Sequence, residues 1–260
     1  MKKLIFIKLG GSLITEESPY TLNLSKIREV SSEIHRLRQK MKFNLLIGNG
    51  AGSFAHVSAK KFRTAEGYVD RKSLRGHSIV QDDASRLNRI VVKELIRAGE
   101  NAISVQPSAA ALSINGKIKL FYLEPIKNYL KNNLVPVVFG DVVFDLEKGC
   151  AILSTEKIFC YLAKRLKPDK IILMSGVEGV YVYDFGKRII PEINKKNFTE
   201  IRQFLKETDK IDVTGGMEHK VIQAIEMSKN GIEVNIIGGR KGNLTKCLKG
   251  EKIGTKIKEF

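Results

Sequence analysis

Leu4-Ile5-Phe6-Ile7-Lys8-Leu9-Gly10-Gly11-Ser12 is the stretch whose reading decides the fold. Four apolar residues in a row, bounded by a turn signal, read as a short buried strand. The run then meets a lysine and two glycines. Glycine lets the chain bend sharply and brings backbone N–H groups close to an anion. Lys8 would sit at the strand end and face the same point, or it is a solvent lysine before a turn. A secretory leader would extend the apolar run and end in small residues. Met1 to Ile7 instead runs into Lys8, so it is read as a first strand and the protein as cytoplasmic.

Working outward, the same alternation recurs along the chain. Ile27, Val30, Ile34, Leu37 and Met41 repeat at three and four and mark a helix. Phe43 to Ile47 is the next strand. Ser73 to Ala98 is a long helix with Ile79, Leu87, Val91 and Leu95 on its inner side. Strands are expected at Ala102–Val105, Val135–Phe139, Val142–Phe144, Lys170–Met174 and Ile232–Ile237. Further helices are expected at Glu156–Leu166, Asn197–Lys206 and Gly216–Asn230. Asn115-Gly116 signals a type I′ hairpin turn. Strands alternating with helices argue for an α/β sandwich with a largely parallel sheet. Ligands in such sheets bind at the carboxyl ends of the strands. Glycines cluster after strand ends at 10–11, 48–52, 176–179 and 238–239. Four such loops are hard to explain as mere turns.

Composition narrows the class. The 260 residues are 43% hydrophobic, enough for a sizeable core and against disorder. No stretch approaches the ~20 apolar residues of a membrane helix. Cys150, Cys160 and Cys247 lack metal spacing and read as buried reduced thiols. Lysine and arginine outnumber aspartate and glutamate 45 to 28, a net charge of +17. No nucleic-acid motif accompanies that excess. A solvated surface explains it, as does an anionic small substrate that a positive field would steer; both can hold.

Three further segments carry chemistry. Gly48-Asn49-Gly50-Ala51-Gly52-Ser53-Phe54-Ala55-His56 ends a strand and opens a helix, a combination suited to cradling phosphate. It is neither a P-loop nor a true GxGxxG. A lone histidine at His56 is more often structural, but beside a phosphate cradle it becomes a donor to phosphate, and bound phosphate would raise its pKa. Asp212-Val213-Thr214-Gly215-Gly216-Met217 precedes a helix, with Thr214 a candidate cap and Lys220 about one turn in. His35 and His219 read as surface residues; His77 is assigned no role.

Together with Val135-Pro136-Val137, Gly140-Asp141, Pro107-Ser108-Ala109, Leu87-Asn88 and Ser175-Gly176-Val177-Glu178-Gly179-Val180-Tyr181, these segments resemble the isopentenyl phosphate kinases of the amino acid kinase superfamily. The likeness spans nearly the whole chain, and the loop ending in His56 is its most specific part. It implies a three-layer sandwich around the largely parallel sheet, the amino acid kinase fold. It implies one domain, 1–260, with approximate lobes 1–166 for the acceptor and 167–260 for the nucleotide. The implied reaction is ATP-dependent phosphorylation of isopentenyl phosphate to isopentenyl diphosphate, in isoprenoid biosynthesis by the mevalonate pathway, with Mg²⁺ on the ATP phosphates and a homodimer as the working form. Nucleic acid and membrane are not implied partners.

By the same resemblance Lys8, His56 and Lys220 are the catalytic residues. Nucleotide contacts fall to Lys8, Gly10, Gly11, Ser12, Gly52, Thr155, Ser175, Gly176, Gly179, Asp212, Gly215, Gly216 and Lys220. Gly50, Ala51, Gly52 and His56 bind the acceptor, and Glu156 orients the lysines; no metal ligand is assigned. Two departures stand out. The family's Thr-Asp-Lys is Thr15-Glu16-Glu17 here, so a lysine is replaced by Glu17, for which Lys157 is a candidate compensation. The family's Ser-Gly-Asp is Ser154-Thr155-Glu156. A kinase for another phosphate or phosphonate, and a non-catalytic nucleotide sensor, are the alternatives.

Overall fold

The structure is a computed structural model that describes residues 2–181, 188–209, 217–229 and 231–260. Its elements in chain order are β1 (Leu4–Leu9), α1 (Gly11–Ile14), α2 (Leu24–Met41), β2 (Asn44–Asn49), α3 (Gly52–Lys61), α4 (Lys72–Arg97), β3 (Ala102–Ser104), α5 (Pro107–Ala110), β4 (Ala111–Ile114), β5 (Lys117–Phe121) and α6 (Glu124–Lys131). They continue with β6 (Val135–Phe139), β7 (Asp141–Asp145), β8 (Gly149–Leu153), α7 (Thr155–Leu166), β9 (Lys170–Ser175), β10 (Glu192–Ile193), α8 (Phe198–Asp209), α9 (Met217–Ser228), β11 (Glu233–Gly238), α10 (Asn243–Leu248) and β12 (Thr255–Ile257).

Among the described residues eight strands form the main sheet, in the order β10-β12-β11-β9-β1-β2-β6-β3. Every pairing is parallel except β11 with β12. Strands from residues before 167 fill one half of the sheet and strands after it fill the other, joined where β1 pairs with β9.

The alternation of side chains along β1 sets the layers. Ile5, Ile7 and Leu9 enter a core with Ile27, Val30 and Ile34 of α2 and Leu87, Val91 and Leu95 of α4. Phe6 points the other way, into a second core with Ile158, Phe159 and Leu162 of α7 and Val221 and Ala224 of α9. Period two along a strand makes this division obligatory, and the result is helices on both faces of the sheet. Lys8 has the parity of Phe6, so it faces α7.

A second sheet, β5-β4-β7-β8, was visible in sequence only as its hairpin and one strand. Asn115 and Gly116 have φ of 49° and 71°, as a type I′ turn requires. Buried Asp145 holds this hairpin. Its carboxylate accepts from Ser113 Oγ (2.7 Å) and from the amides of Asn115 (3.1 Å), Gly116 (2.8 Å), Glu147 (3.1 Å) and Lys148 (3.0 Å). Among the described residues no helix is long and apolar enough to cross a membrane. The three cysteines are buried and free.

Removing Asp145 would leave the buried Ser113 hydroxyl and four turn amides without their common acceptor. We expect Asp145→Ala to lower unfolding stability by about 2–4 kcal/mol in urea denaturation. A change under about 0.5 kcal/mol would show that the turn residues alone hold the hairpin.

Candidate active site

β1 and β2 are parallel neighbours in register, Lys8 against Gly48 and Leu9 against Asn49. Their following loops therefore leave the sheet at one level and touch through backbone. A Cβ on Gly11 would stand 2.6 Å from Gly52 N, and one on Gly50 would stand 2.6 Å from Gly11 N. Gly52 has φ of 51° and lies under Thr15. Thr15 Oγ ties the two loops, donating to Gly11 O (3.0 Å) and accepting from Ser53 N (3.1 Å).

Not every expected amide is available to a ligand. Gly10 N donates to Met174 O (2.9 Å) and Gly50 N to Leu9 O (2.9 Å). Their use in the fold corrects the expectation that they face a phosphate. Gly11, Ser12, Ala51 and Gly52 sit at the starts of α1 and α3, where helix N–H groups lack intrahelical partners. Ser12 is exposed and lies against Gly176, whose added Cβ would stand 3.3 Å from Ser12 O. Ser175 is buried at the end of β9, and its carbonyl accepts from Gly239 N at 3.0 Å. Gly179 is enclosed between Ile189 and Thr255.

Lys8, 8% exposed, forms an ion pair through Nζ with Oε1 of Glu156, in the first turn of α7. Burial pushes the Glu156 carboxyl up, but the charge and hydrogen bond of Lys8, its own backbone amide and the charge of Lys220 outweigh that and hold it below its ordinary value. Lys220, half-buried in the first turn of α9, is thus brought to the same carboxylate. His56 is exposed on α3, yet protein atoms crowd its ring. That crowding, then the positive charge of Lys8, lowers its pKa; the Glu156 carboxylate acts in the opposite direction. Lys8, Lys220 and His56 therefore share one carboxylate as electrostatic centre.

Thr155 is not placed as expected. Its side chain is buried and its hydroxyl donates to Asn49 O at 2.6 Å, so it braces the β2 end rather than facing a nucleotide. Lys157 does not compensate for Glu17: its ammonium reaches Gly116 O at 3.3 Å, at the hairpin. Glu17 is exposed. His35 is half-buried and bonded to Glu100 and Gln39, so it is no mere surface residue, and His77 pairs with the Tyr68 hydroxyl at 2.8 Å. His219 is exposed. Asp212, Thr214, Gly215 and Gly216 lie outside the described residues.

Sequence reading missed the strap from Thr15 to Leu22. Tyr20 adopts φ of 56°, packs edge-on to Phe54 (ring centroids 5.7 Å apart) and donates its hydroxyl to Asp83 Oδ2 at 3.1 Å. It fastens the strap to α3 and α4. Tyr20 and Asp83 are 63 positions apart, and no local pattern links them.

The histidine offers a direct check of this electrostatic arrangement. By NMR, His56 is expected to titrate below 6.5 in the unliganded chain, and lower still in Glu156→Gln, where Lys8 loses its counter-charge. A rise in Glu156→Gln would place the carboxylate too far away to matter.

The profile of the amino acid kinase family matches residues 3–238. The isopentenyl phosphate kinase of Methanocaldococcus jannaschii is 33% identical over 98% of each chain. That of Methanothermobacter thermautotrophicus is 32% identical, again over 98% of each. A crystal structure of an isopentenyl phosphate kinase superimposes with a TM-score of 0.82 at 28% identity, covering 98% of this chain and all of that one. The family profile, the identity over nearly the whole of each chain and the shared fold agree: the chain belongs to the amino acid kinase family, among its isopentenyl phosphate kinases.

Proposed function

We propose that this chain transfers the γ-phosphoryl group of ATP to isopentenyl phosphate. The observation that carries the reading is the buried Glu156 carboxylate, which gathers Lys8, Lys220 and His56 around two glycine loops at the strand ends. One of the solved relatives is an isopentenyl phosphate kinase substrate complex, 25% identical with a TM-score of 0.79.

A phosphate acceptor needs little general-base help, because its oxygen is already largely anionic near neutral pH. An acceptor oxygen attacks the γ-phosphorus and a new P–O bond forms. The β,γ-bridging P–O bond breaks, and ADP leaves with the electron pair. The protein's task is then alignment and charge neutralisation. In this reading the Gly11, Ser12, Ala51 and Gly52 amides face the transferring group, and Lys8 and Lys220 balance its charge. Glu156 keeps both lysines in place. His56 holds the acceptor phosphate. Ser175, Gly176 and Gly179, with the segment Asp212 to Gly216, belong to the nucleotide side, so that lobe 1–166 takes the acceptor and lobe 167–260 the nucleotide. Mg²⁺ would come with ATP as part of that substrate and would help to neutralise its phosphate charge. A cytoplasmic homodimer serving isoprenoid biosynthesis by the mevalonate pathway completes the proposal, supported by the family resemblance.

Turnover of isopentenyl phosphate with Mg-ATP, measured against a panel of small acids and phosphonates, tests the substrate. Preference for any other acceptor in the panel would overturn the assignment. Lys8→Met should lower kcat by about 10²–10³ while KM for ATP moves little, because its charge counts most in the transition state. Since that variant strands Glu156, the double variant with Glu156→Gln is the folding control. His56→Ala should weaken acceptor use by about 1.5–3 kcal/mol. Because bound phosphate favours the imidazolium, acceptor binding near pH 7 should take up more protons in wild type than in His56→Ala, read from calorimetry in buffers of different ionisation heat.

Glu17→Gln should be nearly silent, because this carboxylate is exposed. A large fall in turnover with folding intact would assign Glu17 a role in metal or substrate binding.

A further inference from the structure

Asn49, Asn88 and Ser104 form a polar chain beneath the second glycine loop, inside an otherwise apolar core. Asn88 is fully buried in the middle of α4 and Asn49 is 1% exposed at the end of β2. Their neighbours along the same elements, Ile47, Leu87 and Val91, are core residues. Ser104 Oγ donates to Asn88 Oδ1 (2.6 Å), Asn88 Nδ2 to Asn49 Oδ1 (2.9 Å), and Asn49 Nδ2 to Gly50 O (3.1 Å). A carbonyl can only accept, so Asn49 must turn its NH₂ to Gly50. Its oxygen then faces Asn88, which must present its own NH₂ and leave its oxygen for Ser104. The Gly50 carbonyl fixes the direction of the entire chain.

Two amides in an apolar core are costly unless every group is satisfied, and here the chain satisfies them while ending on one particular peptide. Gly50 is pinned twice, since its N–H also donates to Leu9 O. In a trans peptide the carbonyl and the following N–H point in opposite directions. Holding the Gly50 carbonyl inward therefore turns the Ala51 N–H away from the core, toward the mouth of the loop. Asn49 O is fixed as well, accepting from Thr155 Oγ and from Gly140 N at 3.2 Å.

We propose that Asn88 is a positioning residue for phosphoryl transfer, acting through Asn49 to aim the Ala51 amide at the transferring group. The proposal rests on the reading that this loop cradles phosphate. Ser104 is the anchor of the relay and Asn88 its link between α4 and the site. A merely structural asparagine would affect stability alone, whereas this one sets the orientation of a donor.

The test uses Asn88→Leu, Asn88→Asp and Ser104→Ala in the full chain, with inorganic pyrophosphate as binding probe by calorimetry and kcat with isopentenyl phosphate. Asn88→Leu should unfold cooperatively yet lose about tenfold or more in both pyrophosphate affinity and kcat. A protonated aspartate has one donor and one acceptor, as the relay needs, and burial favours that form. So in Asn88→Asp both quantities, relative to wild type, should recover as pH falls from about 8 to about 6, while the ratio for Asn88→Leu stays flat. Ser104→Ala should show a smaller loss. If Asn88→Leu does not fold, the pH-dependent recovery of Asn88→Asp decides. A folded Asn88→Leu with wild-type affinity and turnover, or a flat ratio in Asn88→Asp, overturns the relay. Wild type that binds no pyrophosphate overturns it too. A wild type inert toward isopentenyl phosphate, with pyrophosphate affinity still lost in Asn88→Leu, would sink the substrate assignment and leave the relay standing.

Discussion

The contact of bare backbone between the Gly10-Gly11 loop and the Gly50-Ala51-Gly52 loop is the constraint on which this site depends. β1 and β2 run side by side in register, so the two loops emerge together and have nowhere to spread. A side chain on Gly11 or Gly50 would run into the opposing backbone at 2.6 Å. Backbone cannot yield as the end of a flexible side chain can, so the loops would be forced apart. What the contact achieves is density of donors. Four amides at the starts of two helices come within one small region, each lacking an intrahelical partner. Thr15 then locks the pair by bonding to both loops.

Charge is organised around the same place by the pleat of one strand. Phe6 and Lys8 share a face of β1, and Phe6 belongs to the α7 core. The first turn of α7 lies above Lys8, and Glu156 meets the ammonium there. Removing one partner of such a buried pair typically costs about 3–5 kcal/mol, so the pair is a structural commitment whatever else it does. It also answers one departure from the family pattern. A glutamate in place of aspartate still reaches the lysine, and the threonine in place of glycine finds a partner in the Asn49 carbonyl. The missing lysine at position 17 has no such replacement in Lys157, which is engaged at the hairpin. Among the described residues, the standing positive charge at this site is that of Lys8 and Lys220, while the lowered pKa of His56 keeps its imidazole mostly neutral near pH 7.

Strand and helix periods, the Asn-Gly turn and glycine after strand ends are local properties, set by torsional freedom and by which side chains must avoid water. They made β1, β2, α2, α4, β6, β9 and β11 legible, and with them the parallel sandwich. The glycine loops after β1 and β2, with Lys8 and His56 beside them, were legible for the same reason, since glycine after a strand end is a local feature of the sequence. β8, β10, β12, α6 and α10 escaped the reading, because strands of two to five residues and helices of six to eight are too short to show a period clearly and are stabilised by what they pack against. The sequence by itself thus determined the alternation of elements, the two glycine loops and the candidate charged groups. Only the tertiary structure decided that Gly10 and Gly50 spend their amides on the fold, that Thr155 braces Asn49, that Tyr20 reaches Asp83 and that Asn88 supports the loop. Each of these joins residues far apart in the chain, and a hydrogen bond between such residues exists only once packing has fixed both ends.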